Sequence, residues 1–395
     1  MFRPPSTRLH DADRVTELPV NEELIRNPNR ANEPVPFASD RAPLAFHQRL
    51  PGYEPTPLVD APDLARELGV RRVLVKVESS RLGLPAFKML GASWATYQSL
   101  IARLGDTPTW NTIDELSAAV DSLRPLQLAA ATDGNHGRAV ARMAKLLGFS
   151  AHIFVPDDMA AARIDAIRSE GAEVTIVTGT YDDAVVRSAQ EASERCLVIS
   201  DTSWPGYVDP PRWVIEGYAT IFAEIDDELS HRDLEPPTVV FLPTGVGAFA
   251  AAGVAYYRNA GLDTTLVTVE PADAACVLES LRCGAMVEVP GPHRSMMVGL
   301  NCGNASLIAW PVLRSGVDFA ISIGDDRAAH AMRLLAQQHI VAGETGAASL
   351  AGALGARELG AAALLGLDEH ATVLCIVTEG ATDPANYARI VGPLP

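Results

Sequence analysis

Lys88 has the most conspicuous chemistry in the chain. It follows a Gly/Pro-bearing loop, Ser80-Arg81-Leu82-Gly83-Leu84-Pro85-Ala86-Phe87, and opens a segment whose apolar residues Phe87, Leu90, Trp94, Tyr97, Ile101 and Leu104 recur at helical spacing. The amine therefore falls in the first turn of a predicted helix. A helix N-terminus is electropositive and favours anions over cations, so a lysine there is expected to be neutral. Burial and nearby positive charge both lower a lysine pKa. A neutral, nucleophilic amine is what carbonyl chemistry through a Schiff base requires. On spacing alone, an ordinary solvated lysine remains the alternative.

Four further loops carry candidate chemistry. Pro243-Thr244-Gly245-Val246-Gly247-Ala248 follows an apolar strand and precedes a helix of small residues. The N–H groups of Gly245, Val246, Gly247 and Ala248, with the helix N-terminus behind them, form a cradle for a phosphate. A tight strand-to-helix turn would use the same glycines. Ala131-Thr132-Asp133-Gly134-Asn135-His136-Gly137 offers N–H groups for a substrate carboxylate, an amide for a cofactor oxygen and a carboxylate for acid–base work. A helix cap would need only one of these residues. Thr378-Glu379-Gly380 closes the last apolar strand, where open parallel sheets bind their ligands, while Asp383-Pro384 reads as a helix N-cap with proline behind it. Glu344, set among glycines ahead of a helix, is read equally as a substrate contact or a turn residue.

Regular α/β alternation must position these loops. The strand Val73–Val77 precedes the Lys88 loop. From Leu128 onward, strands at 128–131, 151–155, 173–177 and 197–200 alternate with helices at 136–147, 159–170 and 181–195. An irregular aromatic stretch from Trp204 to Trp213 leads into a long helix near 214–229. After the polar linker His231–Pro237 a second alternation places strands at 239–242, 266–270, 319–323 and 372–377. Helices fall between them at 247–257, 273–283, 305–314, 325–338 and 345–358. This punctuation implies parallel sheets covered on both faces. Residues 1 to about 50, rich in Pro, Asn and Arg, read as a loosely structured lead-in, with a weak apolar patch at Leu24-Ile25.

Lys and Arg number 32 against 49 Asp and Glu, a net charge of −17, which repels nucleic acid and anionic lipid. A phosphate would have to be held locally, by backbone N–H groups. Met1–Arg14 has no apolar signal-peptide core, and no run reaches the roughly 18 apolar residues of a membrane span, so a cytoplasmic protein is expected. Five scattered cysteines form no C-x-x-C pair, and no metal site is expected.

Phe87-Lys88 with Leu90-Gly91-Ala92-Ser93, Thr132 to Gly137, Gly245 to Ala248 and Thr378-Glu379-Gly380 stand in order, each on a predicted strand-end loop. Together they resemble the lysine, asparagine, phosphate and pyridine-nitrogen motifs of fold-type II pyridoxal-phosphate enzymes. Within that group the stretch from about Tyr53 to Ile390 is similar to the 2,3-diaminopropionate ammonia-lyase family. The match includes Asp133, where serine/threonine dehydratases carry a small uncharged residue, and Gly299-Leu300-Asn301-Cys302-Gly303. The resemblance implies two open, twisted, mostly parallel α/β domains with the site between them. The large cofactor-binding one would comprise residues 1–98 plus 236–395, and the small one 99–235.

The resemblance also implies roles. Lys88 would bind pyridoxal 5'-phosphate covalently and act as base on the L-substrate, with Asp133 as the opposite-face base for the D-isomer. Asn135 would contact the ring hydroxyl, Gly245, Val246, Gly247 and Ala248 the phosphate, and Thr378 the pyridine nitrogen. Thr132, Asp133, Gly134, His136 and Glu344 would contact the amino-acid substrate. The reaction would convert diaminopropionate to pyruvate and two ammonia, in a homodimer. Ala248 in place of the usual serine, Ala92 and Trp94 after the lysine, and Pro85 before it depart from the family pattern. They leave open another β-substituted amino acid, the substrates of serine/threonine dehydratases or racemases, or a non-catalytic cofactor-binding regulator. Cys276 and Cys302 lie at matching landmarks of the substrate-side region and would form a reversible disulfide if the fold brings them together.

Overall fold

The structure, a computed structural model, describes residues 22–31, 35–37 and 40–393. Met1–Arg14 lies outside the described residues. Among the described residues eleven strands form two sheets. In chain order they are β1 Glu23–Arg26, β2 Leu58–Asp60, β3 Arg72–Val77, β4 Gln127–Ala131, β5 Ser150–Pro156, β6 Glu173–Val177, β7 Cys196–Val198, β8 Val239–Pro243, β9 Thr265–Pro271, β10 Phe319–Ile323 and β11 Thr372–Val377. The larger sheet runs β1-β10-β9-β8-β11-β3-β2, and the smaller β6-β5-β4-β7.

The smaller sheet is wholly parallel. In the larger one β10, β9, β8, β11 and β3 are parallel, and only the edge strands β1 and β2 run antiparallel. The central strands read as unbroken apolar runs because helices cover both faces. Val373, Leu374, Cys375, Ile376 and Val377 of β11 are all buried.

The lead-in is more ordered than its composition suggests. Its weak apolar patch is β1, which pairs with β10 from Glu23↔Ser322 to Arg26↔Phe319, and Ala42–His47 is a short helix with proline in its first turn. The edge of a sheet supplies an ordering force that local periodicity does not report. Three helices start three or more residues later than expected: Trp310–Gly316 replaces 305–314 because Pro311 belongs in a first turn, Cys276–Cys283 replaces 273–283, and Ala348–Glu358 replaces 345–358. The helix at 181–195 ends early, at Ala189, and the long helix extends over Asp209–His231. Asp383 is the N-cap its sequence suggests, accepting from the N–H groups of Ala385 and Asn386.

The helix Lys88–Leu104 lies against Asp209–His231 at unusually short range. A Cβ on Gly217 would stand 2.6 Å from the Leu90 carbonyl, and one on Gly91 would stand 2.5 Å from the Tyr218 ring. Glycine at both faces lets the backbones approach. His47, from the lead-in, completes the fixture. Its Nδ1 meets Thr220 Oγ1 at 2.8 Å and its Nε2 meets the Leu90 carbonyl at 3.0 Å, and burial drives its pKa down to about 3. Both partners of the Lys88 helix are thus pinned at its first turns.

Candidate active site

The loops carrying the candidate residues leave the C-terminal ends of parallel strands β3, β4, β7, β8 and β11, the rim at which α/β sheets bind ligands. The Lys88 loop is bound directly to the last strand's exit. Phe87 N–H donates to the Thr378 carbonyl at 3.2 Å, Gly380 N–H to the Pro85 carbonyl at 2.9 Å, and Ala86 bridges Glu379. Lys88 is the first residue of its helix.

Beneath this loop lies a buried ionic cluster that sequence patterning did not suggest. Arg81 bonds Glu78 and Glu224 with contacts of 2.6 Å to each, and Lys76 reaches Glu224 at 2.7 Å. Thr56 Oγ1 donates to Glu78 Oε1 at 2.6 Å and Tyr53 to Glu224 Oε1 at 2.8 Å. Two cations and two carboxylates balance, each fully desolvated and multiply bonded, which is the condition under which buried charge is tolerated. Burial raises the Glu224 carboxyl, but hydrogen bonds and charge from Arg81 and Lys76 prevail and hold it down at about 2.

Lys88, Thr132, Asp133, Asn135, His136, Gly245, Val246, Gly247, Ala248 and Thr378 line one pocket. Gly134 does not. It serves the loop, with φ +139° and its N–H on Thr132 Oγ1 at 2.9 Å, an oxygen that also accepts from Gly137. Glu344 lines a neighbouring cavity instead, where Asn386 Nδ2 donates to its Oε1. Thr378 Oγ1 donates to the Thr345 carbonyl at 3.3 Å.

The expectation of a neutral Lys88 is corrected. Its Nζ donates to Asp201 Oδ2 at 2.6 Å, with the side chains only 18% and 6% exposed. Burial opposes the ammonium, but the Asp201 charge outweighs it, so the lysine pKa is raised. Burial likewise opposes the Asp201 carboxylate, and Lys88 overrides it to lower that pKa. Asp133 has no such partner, and burial raises its pKa despite the Lys88 charge.

Asp201 was missed in the sequence, as was Tyr181, whose hydroxyl donates to Asp201 Oδ1 at 3.0 Å. The available signal was position: Asp201 follows β7, on the same rim as the other loops. His136 Nε2 donates to the Ile199 carbonyl at 2.7 Å, and burial lowers its pKa, so its Nδ1 is an unprotonated acceptor 3.9 Å from Asp201.

Several features fit a phosphate-bearing aldehyde cofactor. Among the described residues none accepts from the N–H groups of Gly245, Val246, Gly247 or Ala248, which face a pocket at a helix N-terminus. A Cβ on Gly245 would stand 3.1 Å from Cys302 Sγ and 3.2 Å from the Gly299 carbonyl, tight enough that the neighbouring chain would have to shift by a few tenths of an ångström. Asn135 Nδ2 donates one hydrogen to Glu379 Oε2, leaving its second directed by that anchor. Glu379 Oε1 and His136 Nδ1 are buried without a partner among the described residues. Cys276 and Cys302 flank Gly245 and both are free thiols.

A model of the pyridoxal-phosphate dependent enzymes matches residues 49–379. The chain is 38% identical over 370 residues to diaminopropionate ammonia-lyase of Escherichia coli strain K12, covering 90% of this chain and 92% of that one. The crystal structure of the Escherichia coli diaminopropionate ammonia lyase in complex with D-serine superposes with a TM-score of 0.87 at 34% identity, over 94% of this chain and 97% of that one. The same enzyme in complex with an aminoacrylate-PLP azomethine reaction intermediate gives a TM-score of 0.85 at 35% identity, over 94% and 97%. This chain belongs to the diaminopropionate ammonia-lyase family of fold-type II pyridoxal-phosphate-dependent enzymes.

Proposed function

We propose that this chain eliminates ammonia from 2,3-diaminopropionate, yielding pyruvate and ammonia. The observation that carries the reading is that the Lys88 amine and the Asp133 carboxyl line one buried pocket with the Gly245–Ala248 N–H cradle. Pyridoxal phosphate, when bound, supplies an electron sink for the negative charge left on Cα. Lys88, Asn135, Thr378 and the cradle residues Gly245, Val246, Gly247 and Ala248 are the groups that would hold it.

Lys88, in its unprotonated form, takes the Cα proton from an L-substrate, and Asp133 takes it from a D-substrate. Burial suits Asp133 to that work, because a carboxyl with a raised pKa holds an abstracted proton more firmly. Asp201 holds and orients the Lys88 amine through its hydrogen bond, and Tyr181 fixes the carboxylate's second oxygen. The Thr132–Asn135 loop presents N–H groups toward the substrate carboxylate, with Thr132 Oγ1 holding the loop in shape. Loss of the Cα proton and the β-amine leaves aminoacrylate, and one water then gives pyruvate and a second ammonia.

The division into residues 1–98 plus 236–395 and 99–235 is supported by the smaller sheet lying wholly within the second range. A cytoplasmic setting accords with five free cysteines, and a homodimer is proposed with it. No helix among the described residues is long and apolar enough to cross a membrane. The deciding assay measures pyruvate from each isomer of diaminopropionate beside oxoacid from serine and threonine. Turnover of serine or threonine in preference to diaminopropionate would overturn the assignment.

A further inference from the structure

Beyond Asp133 lies a second cavity of about 380 Å³, within the size range of small-ligand sites. Among the described residues Asp133 is the only one lining both spaces, so the Lys88 pocket and this cavity adjoin at Asp133. Two buried acceptors in its lining have no donor. Glu344 is 1% exposed, with Oε1 bonded to Asn386 and Oε2 without a partner. Asn301 donates through Nδ2 to the Ser295 carbonyl at 2.8 Å, which fixes its amide and leaves Oδ1 unpartnered.

A buried acceptor without a donor is unfavourable, and two in one cavity call for a ligand bearing N–H or O–H groups. Charge selects between these. Asp133, Glu344 and Asp383 line the inner space against Arg163, while Asp158 stands at the exposed rim. Arg163 is already engaged, by the Asp133 carbonyl at 3.2 Å and Thr382 Oγ1 at 3.3 Å. Arg294 lies exposed at the surface. The interior therefore favours a cation.

We propose that this cavity receives the side-chain ammonium of the diamino acid, and then the ammonia released from it, with Glu344 Oε2 and Asn301 Oδ1 accepting its N–H groups. The proposal rests on the diaminopropionate reading and names the feature that selects an amino over a hydroxyl β-substituent. Glu344 thereby becomes a specificity-determining residue reached across Asp133.

The test uses borohydride-reduced holoenzyme, which cannot turn over, titrated by calorimetry with ethylenediamine and, as uncharged control, n-propanol. Wild type is expected to bind ethylenediamine alone, and Glu344→Gln to weaken that binding at least about tenfold, the range of one charge-assisted hydrogen bond. In turnover, Glu344→Gln raises KM for diaminopropionate by a similar factor. The inhibition constant of D-serine, which carries a hydroxyl instead of the amine, changes less than about twofold. Equal losses for both ligands, or no ethylenediamine binding to wild type, overturn the proposal. Asn301→Leu repeats the comparison should the Gln variant fail to fold. If wild type makes no pyruvate from diaminopropionate, the functional reading fails, while the ethylenediamine titration still decides whether the cavity takes an amine.

Discussion

Replacing Asp201 by asparagine preserves shape and removes the charge that holds the proton on Lys88. At 2.6 Å between side chains 18% and 6% exposed, this is a desolvated contact. Unit charges about 4 Å apart at an effective dielectric near 20 attract by about 4 kcal/mol, and removing one partner of a buried pair costs about 3–5 kcal/mol. One pKa unit corresponds to about 1.4 kcal/mol, so the Lys88 titration is expected to fall by about 2 to 4 units. The neighbouring Asp133 carboxyl moderates the fall.

The assay is acylation of cofactor-free protein across a pH series, with modification of Lys88 read by peptide mass spectrometry. A midpoint unchanged between Asp201→Asn and wild type would refute the reasoning. Stability should follow the same pair. The raised lysine pKa makes its contribution complete below the unfolded value of 10.5, and it is lost as pH rises through the folded value. The lowered aspartate pKa makes its contribution complete above 3.8 and lost as pH falls. At pH 7 both are present, so the variant should lose the full amount in a urea titration.

Gly245→Ala would bring a Cβ to 3.1 Å from Cys302 Sγ and 3.2 Å from a carbonyl oxygen. Pyridoxal-phosphate affinity, measured by fluorescence titration, is expected to drop at least about tenfold with little change in melting temperature, since a hydrogen bond to a charged phosphate is worth about 1.5–3 kcal/mol. Arg81→Met leaves Glu78 and Glu224 buried without their main cation. It should destabilise the protein by about 3–5 kcal/mol in denaturant titration, and a loss under about 1 kcal/mol would contradict the cluster's role. Because the Glu224 carboxyl is held at about 2 against an ordinary 4.5, its stabilisation should disappear between those pH values. Glu224→Gln should flatten that acid limb of the stability curve.

The rim loops were readable because each combines a strand end with residues a turn alone does not need. Asn135, Asp133 and the Gly245–Gly247 pair were found in this way and line one pocket. Asp201 escaped because a single carboxylate between a strand end and an irregular aromatic stretch has no local signature, and its meaning depends on Lys88, 113 positions away. For the same reason the charge state of Lys88 was misjudged: local helix electrostatics favoured the neutral amine, and a distant carboxylate reversed the outcome. The Lys76–Arg81–Glu224 cluster was hidden because each member looks like an ordinary polar residue until the chain closes around it. Glu344 lines the cavity beside the Lys88 pocket, a placement that sequence order could not give because it does not tell which side of Asp133 a neighbouring loop faces. Edge strand β1 was underestimated because β10, its template, lies nearly 300 residues later, from Glu23 to Ser322.

Strand β11 occupies an interior slot of the larger sheet, between β8 and β3, and its exit supplies Thr378 and Glu379 to a pocket begun at Lys88. A ribosome must therefore release the chain through Glu379 before the cradle, the lysine and the Asn135 anchor can meet. Asn135 waits for a carboxylate 244 positions downstream. Chains that stop short of Thr378 would hold the lysine without the walls supplied by that strand's exit, so cofactor capture reports that synthesis has passed it. Such long-range closure also makes for slow folding.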